Sequence, residues 1–167
     1  MGPGEIAVGW AGRDDAHEVS GVLAEGAAWM ARKGWPGWTA ADIAPAFVAA
    51  RIAACEMAAA RLDGVVAGVC TLTRSDPEFW PDDAPGEAAY LHRLAVRRRF
   101  AGARVTPAIV AWCAQTARDW GCRALKLDCH PHISGIYLRL GFTRLDSWTT
   151  HPSDRSPYLV DRFVMAL

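Results

Sequence analysis

Residues 90–142 carry the groups of this sequence that could do chemistry. An apolar run ends in a turn that contains Arg99, Gly102 and Arg104, and a helical pattern follows. A strand that delivers backbone amides to the start of a helix makes a site for phosphate. A second apolar run and then Tyr137 come next. The stretch therefore predicts a phosphate-bearing cofactor that is held beside a proton donor.

The turn itself offers two kinds of phosphate ligand. Gly102 lets the backbone come close to an anion, and the N–H groups of residues 100–105 could point at a diphosphate near the positive end of the helix. From Gly102 alone, an ordinary strand-to-helix turn with surface arginines is the better interpretation. Within the surrounding basic cluster, we expect Arg99 and Arg104 to contact phosphate. The cluster comprises Arg93, Arg97, Arg98, Arg99 and Arg104.

Helical and extended patterns supply the elements that position these groups. Capping signals at Asp15 and Thr39 predict two helices, and Asp63-Gly64 predicts a β-hairpin. The predicted strands are 56–62, 65–72, 88–96, 124–128, 142–149 and 158–167, and the later helices are 106–120 and 133–140. The element order is thus helix, helix, hairpin, strand, helix, strand, helix, strand, strand.

Composition limits the classes of protein that fit. A length of 167 residues with 51% apolar content suits one domain that spans residues 1–167. Eighteen basic and eighteen acidic side chains cancel, so no global field favours nucleic acid or an anionic membrane. No segment approaches the roughly 20 apolar residues of a bilayer span. Five scattered cysteines fit a reducing compartment, and we expect a soluble, cytoplasmic protein.

Three motifs together resemble the GCN5-related N-acetyltransferase (GNAT) superfamily. They are the apolar run Leu91–Val96, the turn Arg99–Arg104, and Tyr137 followed four residues later by Gly141-Phe142. The turn is similar to the family motif Arg/Gln-x-x-Gly-x-Gly/Ala, which lies after a strand and before a helix. The sequence departs from the family at Arg104, where glycine or alanine is usual, and at His130, where asparagine is common.

The resemblance implies an α+β fold with α/β/α layers. Its sheet is mixed and mostly antiparallel, has about six to seven strands, and has two splayed parallel strands at its centre. The pantetheine arm of acetyl-CoA would lie between Leu94–Val96 and Leu127–Cys129 and bond to strand backbone. The residues that the resemblance assigns to the cofactor are Leu94, Ala95, Val96, Arg99, Phe100, Ala101, Gly102, Ala103, Arg104, Val105 and His130.

The resemblance also implies a reaction, the transfer of an acetyl group from acetyl-CoA to a primary amine of a small molecule or peptide. Tyr137 would protonate the departing thiolate, since a phenol with a pKa near 10 is protonated at neutral pH. The alternative for Tyr137 is a core aromatic residue. An amine with a pKa near 10.4 costs roughly 4 to 5 kcal/mol to deprotonate at pH 7, so a base is expected. His92 and Glu87 are the candidates, each with a structural role as the alternative.

The acceptor is less defined. Trp29, Trp35, Trp38 and Trp80 could form an aromatic wall for it, or they could bury area in the core. An amino acid, a polyamine, an antibiotic amine and a peptide N-terminus all stay open as acceptors, and so does a homodimer. A module that holds acyl-CoA or a partner without turnover is the alternative function.

Two other chemistries have weaker support in the sequence. Cys122, Cys129, His130 and His132 match no standard zinc spacing, and we expect no metal. Cys129 could be a nucleophile, although free cysteines are more often buried hydrophobic residues.

Overall fold

The computed structural model describes residues 4–167, which form a mixed sheet with helices. The strands in this range are β1 (Ile6–Trp10), β2 (Met57–Leu62), β3 (Val65–Thr73), β4 (Ala88–Val96), β5 (Ala124–Cys129), β6 (Thr143–Thr150) and β7 (Tyr158–Ala166). The α-helices are α1 (Ala16–Arg32), α2 (Ala40–Ile43), α3 (Pro45–Ala53), α4 (Val105–Asp119) and α5 (Ser134–Arg139). In this range, no helix has the length and apolar character that crossing a membrane requires.

The strand order is β1-β2-β3-β4-β5-β7-β6. β4 and β5 are parallel, whereas β1–β2, β2–β3, β5–β7 and β6–β7 are antiparallel. The parallel register begins at Ala88 opposite Ala124 and ends at Leu91 opposite Leu127, although both strands continue beyond these residues. The predicted α+β class with a mixed, mostly antiparallel sheet is confirmed.

Several turns and helix starts have the conformation that their neighbouring residues predict. Asp63 and Gly64 have φ values of 50° and 82°, which is the pair of positive angles that a tight two-residue hairpin turn needs. Thr39 and Asp42 form the expected reciprocal cap at the start of α2. Asp15 does not cap α1. Its carboxylate accepts from the amide of Gly12 instead.

Two elements differ from the sequence prediction. β1 was not predicted, because five residues give a weak pattern by themselves, and it is held by antiparallel pairing with β2. The predicted second helix is divided into α2 and α3 at Ala44, whose ψ of 144° is extended. Pro45 follows, and a residue before proline is disfavoured in the helical region.

The described chain forms two compact units, and the first comprises the sequence up to Leu72 together with Arg93–Trp112. Its core lies where α1, α3 and the strands β2 and β3 pack their apolar faces together. The most buried members are Val19, Val22, Leu23, Val48, Met57, Ala59 and Val69. α4 begins in this unit.

The second unit comprises Thr73–His92 and Cys113–Leu167. The segment between β3 and β4 contributes Phe79 and Trp80 to a core that also contains residues of β4, β5 and β7. These are Ala88, Tyr90, Ala124 and Val160. The expectation of one domain over residues 1–167 stays a prediction.

Candidate active site

The turn between β4 and α4 has the backbone geometry of an anion site. Gly102 has a φ of 84° and Arg104 a φ of 62°, so two left-handed residues lie immediately before α4. N–H groups around such residues converge on a common point. Over residues 4–167, the amides of Gly102, Arg104, Val105 and Thr106 donate to no protein acceptor. These amides can serve a phosphate at the positive end of α4.

The other amides of the turn are already used. Phe100, Ala101 and Ala103 donate to backbone carbonyls within the turn at 2.9, 3.1 and 3.1 Å. Of the amides from residue 100 to residue 105, which we expected to be able to point at a diphosphate, these three are therefore committed to the turn itself. These three bonds give the turn its shape and leave the later amides for a ligand.

The arginines around the turn divide by their partners. Arg99 and Arg104 are exposed, so their guanidinium groups can reach a phosphate in solvent. Arg97 is half-buried, and its Nη1 donates to Glu25 Oε1 at 2.8 Å. Arg104 holds a bulky side chain where the family motif has glycine or alanine, and its exposure means that this side chain does not fill the turn.

β4 is interrupted at Arg93, whose φ of 48° is left-handed. A left-handed residue inside a strand breaks the alternation of side chains between the two faces. Leu94 and Val96 therefore do not continue the strand face on which His92 lies. Beyond the break, Ala95 is buried, while Leu94 and Val96 are half-buried.

Tyr137 lies on α5 and is 8% exposed. Its ring meets Phe142 edge to face with centroids 6.0 Å apart, and it lies 5.9 Å from the ring of Phe163. Gly141, with a φ of 92°, turns the chain after α5 so that Phe142 can make this contact. The sequence motif thus fixes the position of the tyrosine by packing.

A hydrogen-bond network around Asp161 holds the first residue of α5. Ser134 Oγ donates to Asp161 Oδ2 at 2.6 Å, and Arg144 Nη2 and Ser147 Oγ donate to Oδ1 at 2.9 and 2.8 Å. These donors, led by Arg144, lower the pKa of Asp161 to about 2. We call Ser134, Arg144, Ser147 and Asp161 the Asp161 cluster.

Cys129 is unsuited to act as a nucleophile. It is buried, and burial raises the pKa of its thiol to about 12. Because the thiolate is the reactive form, the interpretation of Cys129 as a buried hydrophobic residue is the better one.

His92 lies between two carboxylates. Its Nε2 is 3.5 Å from Asp76 Oδ2, and its Nδ1 is 3.9 Å from Asp128 Oδ1. Asp76 comes from the segment before β4, His92 from β4 itself and Asp128 from β5. We call these three residues the Asp76 cluster. Among residues 4–167 they are also the group whose ligand atoms lie close enough together to hold a metal ion, and they differ from the cysteine and histidine set considered from the sequence.

Glu87, the other candidate base, serves the turn before β4. Its Oε2 accepts from the amide of Ala84 at 3.3 Å, and its backbone carbonyl accepts from the amide of Arg123 at 2.9 Å. A carboxylate that caps a turn is less available to a substrate than an imidazole. The geometry favours His92 over Glu87.

His130, at the family's asparagine position, acts as a cap. Its Nδ1 accepts from the amide of His132 at 3.3 Å, and the two rings stack with centroids 4.9 Å apart. Burial and the neighbouring His132 lower the pKa of His130. The neutral ring thus supplies an acceptor, as an asparagine side chain would. Its cofactor contact stays a prediction.

Three of the four predicted substrate tryptophans lie in the first unit. Trp29 and Trp35 pack edge to face with ring centroids 5.2 Å apart. Trp38 is partly buried against the core of that unit. Trp29 and Trp35 therefore form an aromatic pair near the end of α1, whereas Trp38 packs against the core.

Trp80 belongs to the second unit, and it is buried. Lys126 Nζ lies 4.8 Å and Arg162 Cζ 4.7 Å from the centre of its ring. Arg162 also donates to the carbonyl of Phe79 at 2.8 Å. These contacts fasten the segment between β3 and β4 to strands β5 and β7, so Trp80 has a structural role.

The sequence interpretation missed Asp76 and Asp128. Neither belongs to a motif: Asp76 follows the end of β3 in a proline-containing segment, and Asp128 is near the end of β5. The available signal was weak, namely that Tyr90, His92, Lys126 and Asp128 alternate along two paired strands.

Comparison with known proteins agrees with this arrangement. A sequence profile of the acetyltransferase (GNAT) family matches residues 26–142. A curated relative from Bacillus subtilis (strain 168), the uncharacterized N-acetyltransferase YesJ, is 28% identical over 140 residues, which is 77% of this chain and 77% of the relative.

Two solved structures share the fold. A GNAT-family acetyltransferase from Listeria monocytogenes 4b F2365 has a TM-score of 0.74 and 22% identity, over 99% of this chain and 97% of that one. The PaiA N-acetyltransferase of Thermoplasma acidophilum, solved in complex with coenzyme A, has a TM-score of 0.72 and 14% identity, over 94% and 98% of the two chains.

Proposed function

The chain belongs to the GNAT family of acetyltransferases and is an acyltransferase, and from this premise we propose that it transfers the acetyl group of acetyl-CoA to a primary amine by direct attack. The amine nitrogen attacks the thioester carbonyl carbon, the carbon–sulfur bond breaks, and the sulfur leaves as coenzyme A. One proton leaves the amine and one reaches the sulfur, so the reaction needs a base and an acid.

The proposal depends above all on the turn before α4. The amides of Gly102, Arg104, Val105 and Thr106, which donate to no protein acceptor in residues 4–167, would bind the diphosphate of acetyl-CoA. The exposed guanidinium groups of Arg99 and Arg104 would add charge-assisted bonds. A solved relative in fold, the PaiA enzyme, binds coenzyme A.

Tyr137 is the proposed acid. It is held by aromatic packing against Phe142 and Phe163, and its helix is fixed at Ser134 by Asp161. A positioned phenol that gives its proton to the departing thiolate stabilises the leaving group as the carbon–sulfur bond breaks.

His92 is the proposed base. It is half-buried and flanked by Asp76 and Asp128, which lie close enough to orient the ring toward the amine. Glu87 is disfavoured because its carboxylate caps a turn.

The first experiment measures thiol release from acetyl-CoA with a panel of amines that contains an amino acid, a polyamine, an antibiotic amine and a peptide N-terminus. We expect release with at least one of them. Tyr137→Phe should slow the release about 100-fold or more while coenzyme A still raises the melting temperature, since saturation at 100 times Kd adds about 2.7 kcal/mol. Binding without release from any amine would point to the non-catalytic alternative.

Two variants of the turn test the cofactor assignment. A Cβ built on Gly102 meets nothing within 4 Å, but its φ of 84° disfavours a branched side chain, so Gly102→Val strains the turn as well as obstructing a ligand. We expect weaker coenzyme A binding. Arg104→Gly relieves a left-handed non-glycine residue, which should offset the entropy of glycine and leave the fold intact. Unchanged affinity in both variants would contradict diphosphate binding at this turn.

A further inference from the structure

The basic cluster before α4 holds more positive charge than a diphosphate needs. Two of its five arginines pair with carboxylates, which are Arg97 with Glu25 and Arg93 with Asp42. The other three are exposed and form no ion pair within residues 4–167, and they are Arg98, Arg99 and Arg104. A diphosphate diester carries one negative charge on each phosphate, and Arg99 and Arg104 match these charges. Arg98 is then left for a further anion.

The backbone of Arg98 is tied to both of its neighbouring segments. Arg98 begins a short 3₁₀ turn that ends at Phe100, and its carbonyl accepts from the amide of Ala101 at 3.1 Å. Its own amide donates to Glu25 Oε2 on α1 at 3.4 Å. These bonds fix the main chain of Arg98 at the start of the proposed phosphate turn, while its side chain stays exposed.

Trp29 supports the guanidinium of Arg98. The Cζ atom of Arg98 lies 5.6 Å from the centre of the Trp29 ring, and Trp29 in turn packs against Trp35. Both tryptophans are half-buried. An indole face attracts a guanidinium and limits the rotamers that it samples. Arg98 therefore loses less side-chain entropy than a fully mobile arginine would when it binds an anion.

The end of α1 adds a second cation to this side of the turn. Lys33 follows Trp29 by four residues, so the two side chains are neighbours on the helix surface. Its side chain is exposed and has no ion pair in the described part of the chain. The carbonyl of Met30 in the last turn accepts from the amides of Lys33 and Trp35 at 3.0 and 3.2 Å. Backbone donors thus occupy this carbonyl, and the helix end presents an ammonium group.

We propose that Arg98, with help from Lys33, binds the 3′-phosphate on the ribose of coenzyme A. A phosphate monoester carries a charge of about −1.5 to −2 at pH 7. It lies on the same ribose as the diphosphate, so a ligand whose diphosphate is bound at Gly102 brings it close to the turn. The inference rests on the cofactor site of the proposed function. It adds that the enzyme selects acyl donors that carry the complete nucleotide.

Trp29 is a positioning residue in this proposal, because it contacts Arg98 and not the phosphate. Its place is then on the cofactor side of the first unit. The interpretation of Trp29 and Trp35 as part of an aromatic wall for the acceptor predicts something different. In that case a change at Trp29 affects the amine and leaves the cofactor alone.

Calorimetry with two forms of the cofactor tests the role of Arg98. We expect the wild type to bind coenzyme A about 10- to 100-fold more tightly than 3′-dephospho-coenzyme A. Arg98→Gln should weaken coenzyme A binding about tenfold and leave the affinity for the dephospho form unchanged. Equal affinity of the wild type for the two forms, or an equal loss for both in Arg98→Gln, would overturn the proposal.

Arg13→Gln is the matched control. Arg13 is exposed and has no ion pair among residues 4–167, and it precedes the 17 residues of α1, so it lies roughly 25 Å along the helix axis from the last turn. The substitution removes the same charge from the protein. We expect wild-type affinity for both forms of the cofactor, and a loss like that of Arg98→Gln would show a general effect of net charge and overturn the proposal.

Two further variants test the groups around Arg98. Trp29→Leu should weaken coenzyme A binding about three- to tenfold with little effect on the dephospho form, and Trp29→Phe should restore most of the affinity because it keeps a ring face. Lys33→Gln changes an exposed position and should cost about two- to fivefold, again for coenzyme A alone. A raised KM for the amine in Trp29→Leu, with unchanged coenzyme A affinity, would place Trp29 at the acceptor and overturn the proposal.

The same titrations separate this inference from the cofactor site on which it rests. Unchanged affinity for both ligands in Gly102→Val and Arg104→Gly would reject the turn as the diphosphate site, and the inference with it. Weaker binding in those two variants, together with equal wild-type affinity for coenzyme A and its dephospho form, would keep the turn and reject only the role of Arg98.

Discussion

Two buried aspartates in the second unit have opposite electrostatic surroundings. Asp161 and Asp76 are 6% and 8% exposed, yet the pKa of Asp161 is lowered to about 2 and that of Asp76 is raised to about 6. Asp161 accepts from Arg144 and two serines. Asp76 accepts one backbone bond and faces an imidazole.

The difference shows that burial alone does not set the role of a carboxylate. Donors around Asp161 stabilise its charge, so the residue strengthens the fold and fixes α5, which carries Tyr137. The charge of Asp76 is poorly compensated, so the residue costs stability, and a perturbed group of this kind marks a candidate functional position. One cluster is expected to support structure and the other chemistry.

The sharpest test of this contrast is activity. His92→Gln removes the proposed base and should lower kcat/KM by about 10²- to 10⁴-fold. Ser134→Ala removes one donor of the Asp161 cluster and should have a much smaller effect. Both are measured by thiol release with the same amine. Equal losses in the two variants would remove the distinction between the clusters.

The next effect is on stability. Asp161→Asn should lower the free energy of unfolding at pH 7 by about 2 kcal/mol, because Arg144 and Ser134 lose a charged acceptor. The pKa of Asp161 in the folded protein lies below its ordinary value of 3.8. The stabilisation by the ionised carboxylate is therefore present above pH 3.8 and is lost as the pH falls to about 2. Urea unfolding at several pH values measures this, and a difference that persists at pH 2 would argue against the ionised carboxylate as its cause.

Asp76→Asn should have the opposite effect and raise the free energy of unfolding at pH 7. The pKa of Asp76 in the folded protein, about 6, lies above its ordinary value of 3.8. The wild type therefore loses stability as the pH rises from about 3.8 to about 6. The variant should be more stable by about 1 to 2 kcal/mol at pH 7 and no more stable at pH 3. The same unfolding series provides the comparison, and destabilisation at pH 7 would show that Asp76 supports the fold after all.

The smallest effect comes from Ser147→Ala. This variant removes one neutral donor while Arg144 and Ser134 remain on Asp161, so we expect a loss of about 0.5 to 1 kcal/mol. Thermal unfolding measures it. A loss as large as that of Asp161→Asn would mean that the serine, and not the guanidinium, dominates the cluster.

The sequence predicted the parts of the fold and of the site that depend on neighbouring residues. The hairpin at Asp63 and the strand Ala88–Val96 follow from turn chemistry and apolar patterning. The turn at Gly102 and the position of Tyr137 before Gly141-Phe142 follow from motif spacing. In each case the residues that decide the conformation lie within a few positions of one another.

Other features depend on pairing across the sheet. β1 forms because β2 offers it hydrogen bonds. The left-handed Arg93 inside β4 had no local signal, since an arginine is rarely left-handed. The Asp76 cluster joins three segments that are distant along the chain.

The sequence by itself therefore determined the family, and it placed the turn proposed to bind phosphate and the proposed acid, because short-range geometry encodes these features. Only the tertiary structure separated Glu87 from His92 and gave Asp76 and Asp161 their different surroundings. A pKa depends on burial and on which donors lie nearby in space, and distances along the chain do not report either quantity.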